Sequence, residues 1–160
     1  MSSEASFDEL VELAVGRGLV YIGFRARTVL ETHNKLIQRG VPQDIADAAI
    51  ARLIEMEYLD DGKFALSFVE DRRNLDGWGN SRIRTRLMAL GADRRAIDAA
   101  FAVEDEETEL QRAVAFLDTR LMQPAEATAD RRRAMGLLVR RGYTYETASD
   151  AIRAHARAHS

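Results

Sequence analysis

The chain has no cysteine in 160 residues, which excludes a disulfide framework and any thiolate metal site. That fits a reducing compartment. Proline is nearly as scarce: Pro42 and Pro124 are the only two, and both fall between apolar runs, where helix breaks belong. Lysine occurs only at Lys35 and Lys63, so 21 of the 23 basic side chains are arginine. Arginine suits bidentate pairing with carboxylates or phosphates, although a compositional bias of the source genome explains the excess equally well. No window approaches the roughly 20 continuous apolar residues of a membrane span. Residues 1–6 carry neither the basic nor the apolar region of a signal peptide. The expectation is a cytoplasmic protein with no membrane partner.

What is present is the composition of a globular protein, 46% apolar and 31% charged, long enough for one or two ordinary domains. The net charge of -3 conceals a partition. Residues 1–60 carry -4, residues 61–102 carry +2, residues 103–130 carry -6 and residues 131–160 carry +5. Alternating blocks argue against a nucleic-acid binder that works by bulk positive charge alone.

A period of 51 residues organises the chain. Leu36-Ile37-Gln38-Arg39-Gly40-Val41 recurs as Leu87-Met88-Ala89-Leu90-Gly91-Ala92 and as Leu138-Val139-Arg140-Arg141-Gly142-Tyr143. Each copy ends an apolar helical run in glycine, Gly91 at a natural left-handed cap position, and then restarts. Small residues recur at Ala49, Ala100 and Ala151, and larger apolar ones at Ile50, Phe101 and Ile152. Alternating strand patterns are nearly absent. The reading is an all-α protein of tandem three-helix repeats stacked into an elongated, curved array, with repeats at 1–58, 59–105 and 106–160. Each repeat is read as a long helix followed by two shorter ones. Modular stacks usually make surfaces rather than pockets, so a binder is expected rather than a catalyst.

Helical spacing supports this in detail. Ile45, Ala49, Leu53 and Met56 form one stripe of a helix over about 43–57, widened by Ala46 and Ile50. Asp60-Asp61-Gly62 opens the next, with Phe64, Ala65, Phe68 and Val69 inward, and Gly77-Trp78-Gly79 breaks it. Ile83, Leu87 and Leu90 lead to Gly91, and Asp93 caps the helix of Ile97, Ala100 and Phe101. The acidic run Glu104–Glu107 is expected to open a helix burying Leu110, Val114 and Leu117, with Ala113 and Phe116 beside them. Met135, Leu138 and Val139 point inward from a helix over about 128–141. Thr144 caps a last one carrying Ala148, Ala151 and Ile152. Gly16, Gly18 and Gly23 weaken the first helix, leaving a short strand at Leu19–Ile22 as an alternative.

Two basic clusters are candidate contact surfaces. Trp78, the only tryptophan, lies in a glycine-flanked turn, either exposed as an interface anchor or packed back on its own repeat. Arg82 and Arg86, one turn apart and off the Ile83–Leu87 stripe, make a ridge beside it, which Arg72 and Arg73 extend across the loop. Arg131, Arg132, Arg133, Arg140 and Arg141 form the second cluster, suited to phosphate or carboxylate partners. The simpler reading is a solvated face, or pairing of the second cluster with the acidic block. Asp60-Asp61 reads as a helix N-terminus rather than a paired-carboxylate site. Catalytic constellations are missing. His155 and His159 stand one helical turn apart, as chelating pairs do, but no third ligand is evident, so neither a metal nor a cofactor is expected.

Taken in order, Tyr58-Leu59-Asp60-Asp61, Phe64-Ala65, Arg72-Arg73, Gly77-Trp78-Gly79 and Arg82-Ile83 resemble the signature of the RecX family of bacterial recombination regulators. Glu31, Lys35-Leu36 and Arg39-Gly40 resemble the module before it, and Leu138 with Arg141-Gly142-Tyr143 the terminal repeat. The resemblance covers about residues 27–153 and departs at Thr32 and Arg86. It implies an all-helical tandem-repeat protein that binds the RecA recombinase and the RecA–DNA filament, inhibiting ATPase and strand exchange, with at most weak direct DNA contact. A monomer is expected. The rival readings are a helical protein that binds nucleic acid directly through its two arginine clusters, and a generic helical scaffold.

Overall fold

The structure is a computed structural model describing residues 4–103 and 107–160. Among these residues there are nine helices and no strand: α1 (Phe7–Phe24), α2 (Val29–Gln38), α3 (Gln43–Glu55), α4 (Asp61–Asp76), α5 (Asn80–Ala89), α6 (Arg94–Ala102), α7 (Glu109–Arg120), α8 (Thr128–Arg140) and α9 (Tyr145–Ala158). None of them is long and apolar enough to cross a membrane. The chain forms two compact units, Met1–Ala65 with Met88–Asp98, and Leu66–Leu87 with Ala99–Ser160. Their boundary runs through α4, α5 and α6, so compactness divides the chain differently from sequence periodicity.

In the first unit α1 is helical through the Leu19–Ile22 segment that admitted a strand. Ser6 caps it by accepting from the Glu9 N–H, and Val11, Ala14, Val15 and Gly18 form a continuous buried face. Gly18 is there for proximity: a Cβ would lie 2.8 Å from Leu53 Cδ1 on α3. The glycine that lowers helix propensity thus lets two helices close. Thr28 and Glu31 form a reciprocal capping box on α2. The core joins Val11, Ala14 and Val15 to Leu36, Val41, Ile45, Ala46, Ala49, Ile50, Leu53 and Leu59. α3 stops at Glu55, two residues short of expectation, because Glu57 takes a left-handed φ of 63°. Met56, expected on the stripe, is therefore exposed.

Asp60 and Asp61 divide their labour. Asp60 Oδ1 accepts from the Lys63 N–H at 3.0 Å, an ordinary N-cap. Asp61 instead reaches away from its own helix: Oδ1 accepts from the Val29 N–H at 2.9 Å and Oδ2 from the Asp93 N–H at 3.0 Å. One carboxylate thereby ties the start of α2 to the turn before α6, where Asp93 caps by accepting from the Arg95 N–H. We expect Asp61→Ala to cost about 1–3 kcal/mol, since two amide donors lose a charged acceptor. A denaturant titration showing no more loss than Asp71→Ala, at an exposed position of α4, would refute this.

In the second unit Ala113, Phe116 and Leu117 of α7 meet Ala134 and Leu138 of α8 and Ala148, Ala151 and Ile152 of α9, with Ala125 and Tyr143. α7, α8 and α9 have 12, 13 and 14 residues, so this set does not begin with its longest helix as expected. Thr108 and Gln111 make the capping box that opens α7. Glu104–Glu106 lie outside the described residues. Two faces are rotated relative to the periodicity: Leu110 and Val139, expected inward, are exposed, while Ala134 is buried; Ala113, Phe116 and Leu117 are buried as expected. Thr144 caps α9 by accepting from the Thr147 N–H.

Gly91 adopts the expected left-handed conformation, with φ of 77°, and the other two periodic glycines share it, with φ of 87° at Gly40 and 98° at Gly142. Around Gly40 and Gly142 the hydrogen bonds are those of a Schellman motif. Gly40 N–H donates to Ile37 and Val41 N–H to Leu36, as Gly142 N–H does to Val139 and Tyr143 N–H to Leu138. The residue after each of these two glycines is buried, which supplies the apolar contact that accompanies the motif.

Candidate functional site

The Gly77–Gly79 turn builds the candidate surface. α4 ends at Asp76, Gly77 turns with φ of 64°, and the Trp78 N–H donates to the Arg72 carbonyl at 3.0 Å. Two contacts then lock the turn. The Gly79 N–H donates to the Arg141 carbonyl at 2.7 Å, and a Cβ on Gly79 would sit 2.5 Å from the Gly142 carbonyl oxygen. The Tyr143 hydroxyl donates to the Gly77 carbonyl at 3.0 Å. Burial pushes the Tyr143 phenol up to about 12, so it stays a hydrogen donor far above neutral pH.

Trp78 is half-buried, and its partners are cationic or aromatic. The Arg82 guanidinium stacks over its ring at 4.0 Å, Arg72 lies at 5.8 Å, and Phe68 meets it edge-on at 6.3 Å. Arg72 is held in turn by Asp76 at 2.6 Å. Trp78 thus packs on its own repeat yet remains partly at the surface. Its contact with Arg82 is worth about 0.5–1 kcal/mol at an exposed site and fixes a side chain that would otherwise sample many rotamers.

The structure joins what the sequence presents as two clusters. Arg82 Nη1 donates to the Arg140 carbonyl at 3.0 Å, and Arg141 Nη1 to the Asp76 carbonyl at 2.9 Å. Each guanidinium thereby satisfies a carbonyl at a helix C-terminus, where cations are favoured. Arg73 does not extend the ridge: it donates to Asn80 Oδ1 at 2.8 Å and lies 5.7 Å from the Phe101 ring. Arg141 likewise lies over Phe116 at 5.1 Å and is half-buried. Arg82, Arg86, Arg132, Arg133 and Arg140 are exposed. On α5, Arg86 stands one turn beyond Arg82, and on α8, Arg133 and Arg140 share a face two turns apart.

One carboxylate beside the acidic run meets backbone rather than arginine. Glu109 Oε1 accepts from the Asn80 N–H at 2.6 Å, placing negative charge at the start of α5. Sequence reasoning also missed Arg84, which covers the Phe101 ring at 4.7 Å. A contact between backbone turns such as Gly79 on Gly142 leaves one trace in sequence, glycine at both positions, and that trace is too common to read in advance.

Comparison with known proteins then gives the lineage. Residues 14–53 match the family domain described as "RecX, first three-helix domain", and residues 60–100 match "RecX, second three-helix domain". The chain is 33% identical to the regulatory protein RecX of Mycobacterium avium over 131 residues, covering 80% of this chain and 76% of that one. It is 36% identical to the regulatory protein RecX of Mycolicibacterium vanbaalenii over 138 residues, covering 81% and 75%. A crystal structure of RecX from Lactobacillus salivarius superposes with a TM-score of 0.79 at 18% identity, over 92% of this chain and 97% of that one. A second RecX crystal structure gives 0.70 at 20% identity, over 92% and 78%. Sequence and fold therefore agree, and the chain belongs to the RecX family of regulatory proteins.

Proposed function

We propose that this chain regulates the RecA recombinase. It binds the RecA–DNA filament and lowers its ATPase and strand-exchange activity without chemistry of its own, acting as a cytoplasmic monomer built of repeats at 1–58, 59–105 and 106–160. What carries the reading is a member of a regulatory family presenting Arg82 stacked on Trp78, with Arg86 exposed one turn further along α5. A guanidinium held over an aromatic ring loses little freedom on meeting a carboxylate, and arginine and tryptophan dominate binding energy at protein interfaces. Binding alters a filament only through a difference in affinity between its states, so the contact must favour the arrangement in which hydrolysis and exchange are slow.

The exposed Arg132, Arg133 and Arg140 on α8 favour a second reading, direct binding of nucleic acid. Salt separates the two: phosphate-driven affinity falls with a slope near -0.9 per contact on duplex DNA. The test adds the protein, below one copy per recombinase subunit, to RecA, ATP and single-stranded DNA, and follows hydrolysis and filament length. Hydrolysis is expected to fall and filaments to shorten, with weak affinity for bare DNA. No effect at saturation ends the regulatory reading. Micromolar or tighter binding to naked DNA, indifferent to RecA, establishes the alternative.

A further inference from the structure

The end of α9 carries His155 in its last turn and His159 at its C-cap, four residues on, and α7 packs against α9 so that Asp118 faces both. Its Oδ1 lies 3.2 Å from His155 Nε2 and 3.0 Å from His159 Nε2, and the three ligand atoms fall within 4.8 Å of one another. The two imidazole rings sit 4.4 Å apart, tilted by 42°. The third ligand that the sequence pair lacks thus arrives from another helix, 37 residues before His155.

His155 supplies the second observation. It is 2% exposed, and its Nε2 faces Asp118 without making a hydrogen bond. A buried polar nitrogen whose only polar neighbour is a carboxylate too poorly aligned to bond it costs about 1–3 kcal/mol, and an ion held between the two would satisfy both. Asp118 and His159 are half-exposed, so the cluster is reachable from solvent. His33, the remaining histidine, is paired with Asp47 at 2.7 Å.

We propose that Asp118, His155 and His159 bind one divalent transition-metal ion of the zinc class, clipping α7 to α9. Ligand atoms at about 2.0–2.1 Å from a tetrahedral zinc lie about 3.4 Å apart, close to the spacings from Asp118 Oδ1 to the two nitrogens. Two imidazoles and one carboxylate select zinc, cobalt or nickel over magnesium and calcium, which prefer all-oxygen shells. Three protein ligands leave the fourth position to water on the exposed side. Binding would satisfy the buried Nε2 and couple the metal to the stability of the second unit.

The test uses the full chain without an affinity tag, freed of metal by chelation. Cobalt titration is expected to give visible absorption bands that saturate at one equivalent and are displaced by zinc. Zinc at about a hundred times its dissociation constant should raise Tm by about 5–10 °C, whereas magnesium should not. Asp118→Asn and His159→Ala, both at half-exposed positions and checked for native helicity first, should each weaken binding more than tenfold, and His33→Ala should not. No saturable binding at micromolar metal, or binding undiminished in both site variants, overturns the proposal.

Discussion

Replacing Gly142 with alanine is expected to destabilise the protein by about 2–5 kcal/mol, against about 1–2 kcal/mol for the same change at Gly40. The two glycines hold equivalent places in the repeat and similar dihedrals, with φ of 98° and 87°. Both substitutions therefore incur the left-handed penalty of a Cβ. Only their surroundings differ. A Cβ at Gly40 meets nothing within 4 Å, whereas at Gly142 it would lie 2.3 Å from Arg82 Cβ and 2.8 Å from the Arg82 nitrogen. Backbone cannot yield as a side-chain tip does, so the start of α5 must retreat. Retreat pulls at the Gly79–Arg141 hydrogen bond of 2.7 Å and the Arg82–Arg140 bond of 3.0 Å. Urea denaturation of both variants reads the difference directly. Equal losses would mean that the close approach of the two turns contributes nothing.

Reversing charge at Arg82 and Arg86 together is expected to raise the concentration needed for half-inhibition of RecA hydrolysis by tenfold or more, while circular dichroism stays unchanged. Tenfold corresponds to about 1.4 kcal/mol, within the reach of one arginine at an interface centre. The structure sharpens the design. Arg82 has internal duties, stacked on Trp78 at 4.0 Å and bonded to the Arg140 carbonyl, so its variant alone mixes lost contact with a loosened turn. Arg86 is exposed on the same helix, and Arg86→Glu alone tests the surface without touching that turn. Inhibition that survives the double variant unchanged removes this face as the contact, and the α8 arginines become the next to reverse.

Much of the architecture was legible because it is written in local rules. The interval between Gly40, Gly91 and Gly142 located three helix ends, and Asp93 and Thr144 were recognisable as N-caps from residue type and place. Where the reading slipped, a contact overruled a propensity. Gly16, Gly18 and Gly23 argue against a helix on their own account, yet α1 persists because Gly18 admits Leu53. Val139 and Leu110 fit an apolar stripe but face solvent, since the direction a helix turns is set by its neighbours. The candidate arginines were identifiable by type, while which of them are free was not: Arg73 and Arg141 are drawn inward by Asn80, Asp76 and two phenylalanine rings.

The amino-acid order alone determined the helical class, the period, the glycine caps and the family, because dihedral preference and apolar spacing act over a few residues and recur visibly when a unit is copied. Tertiary structure alone decided the Asp61 bridge to Val29 and Asp93, the seating of the Trp78 turn on Gly142, and the meeting of Asp118 with two histidines. Those partners stand 32 to 66 residues apart, and no spacing rule reaches that far: they meet only because burying apolar faces brings particular helices together, and the polar groups at their ends must then find one another.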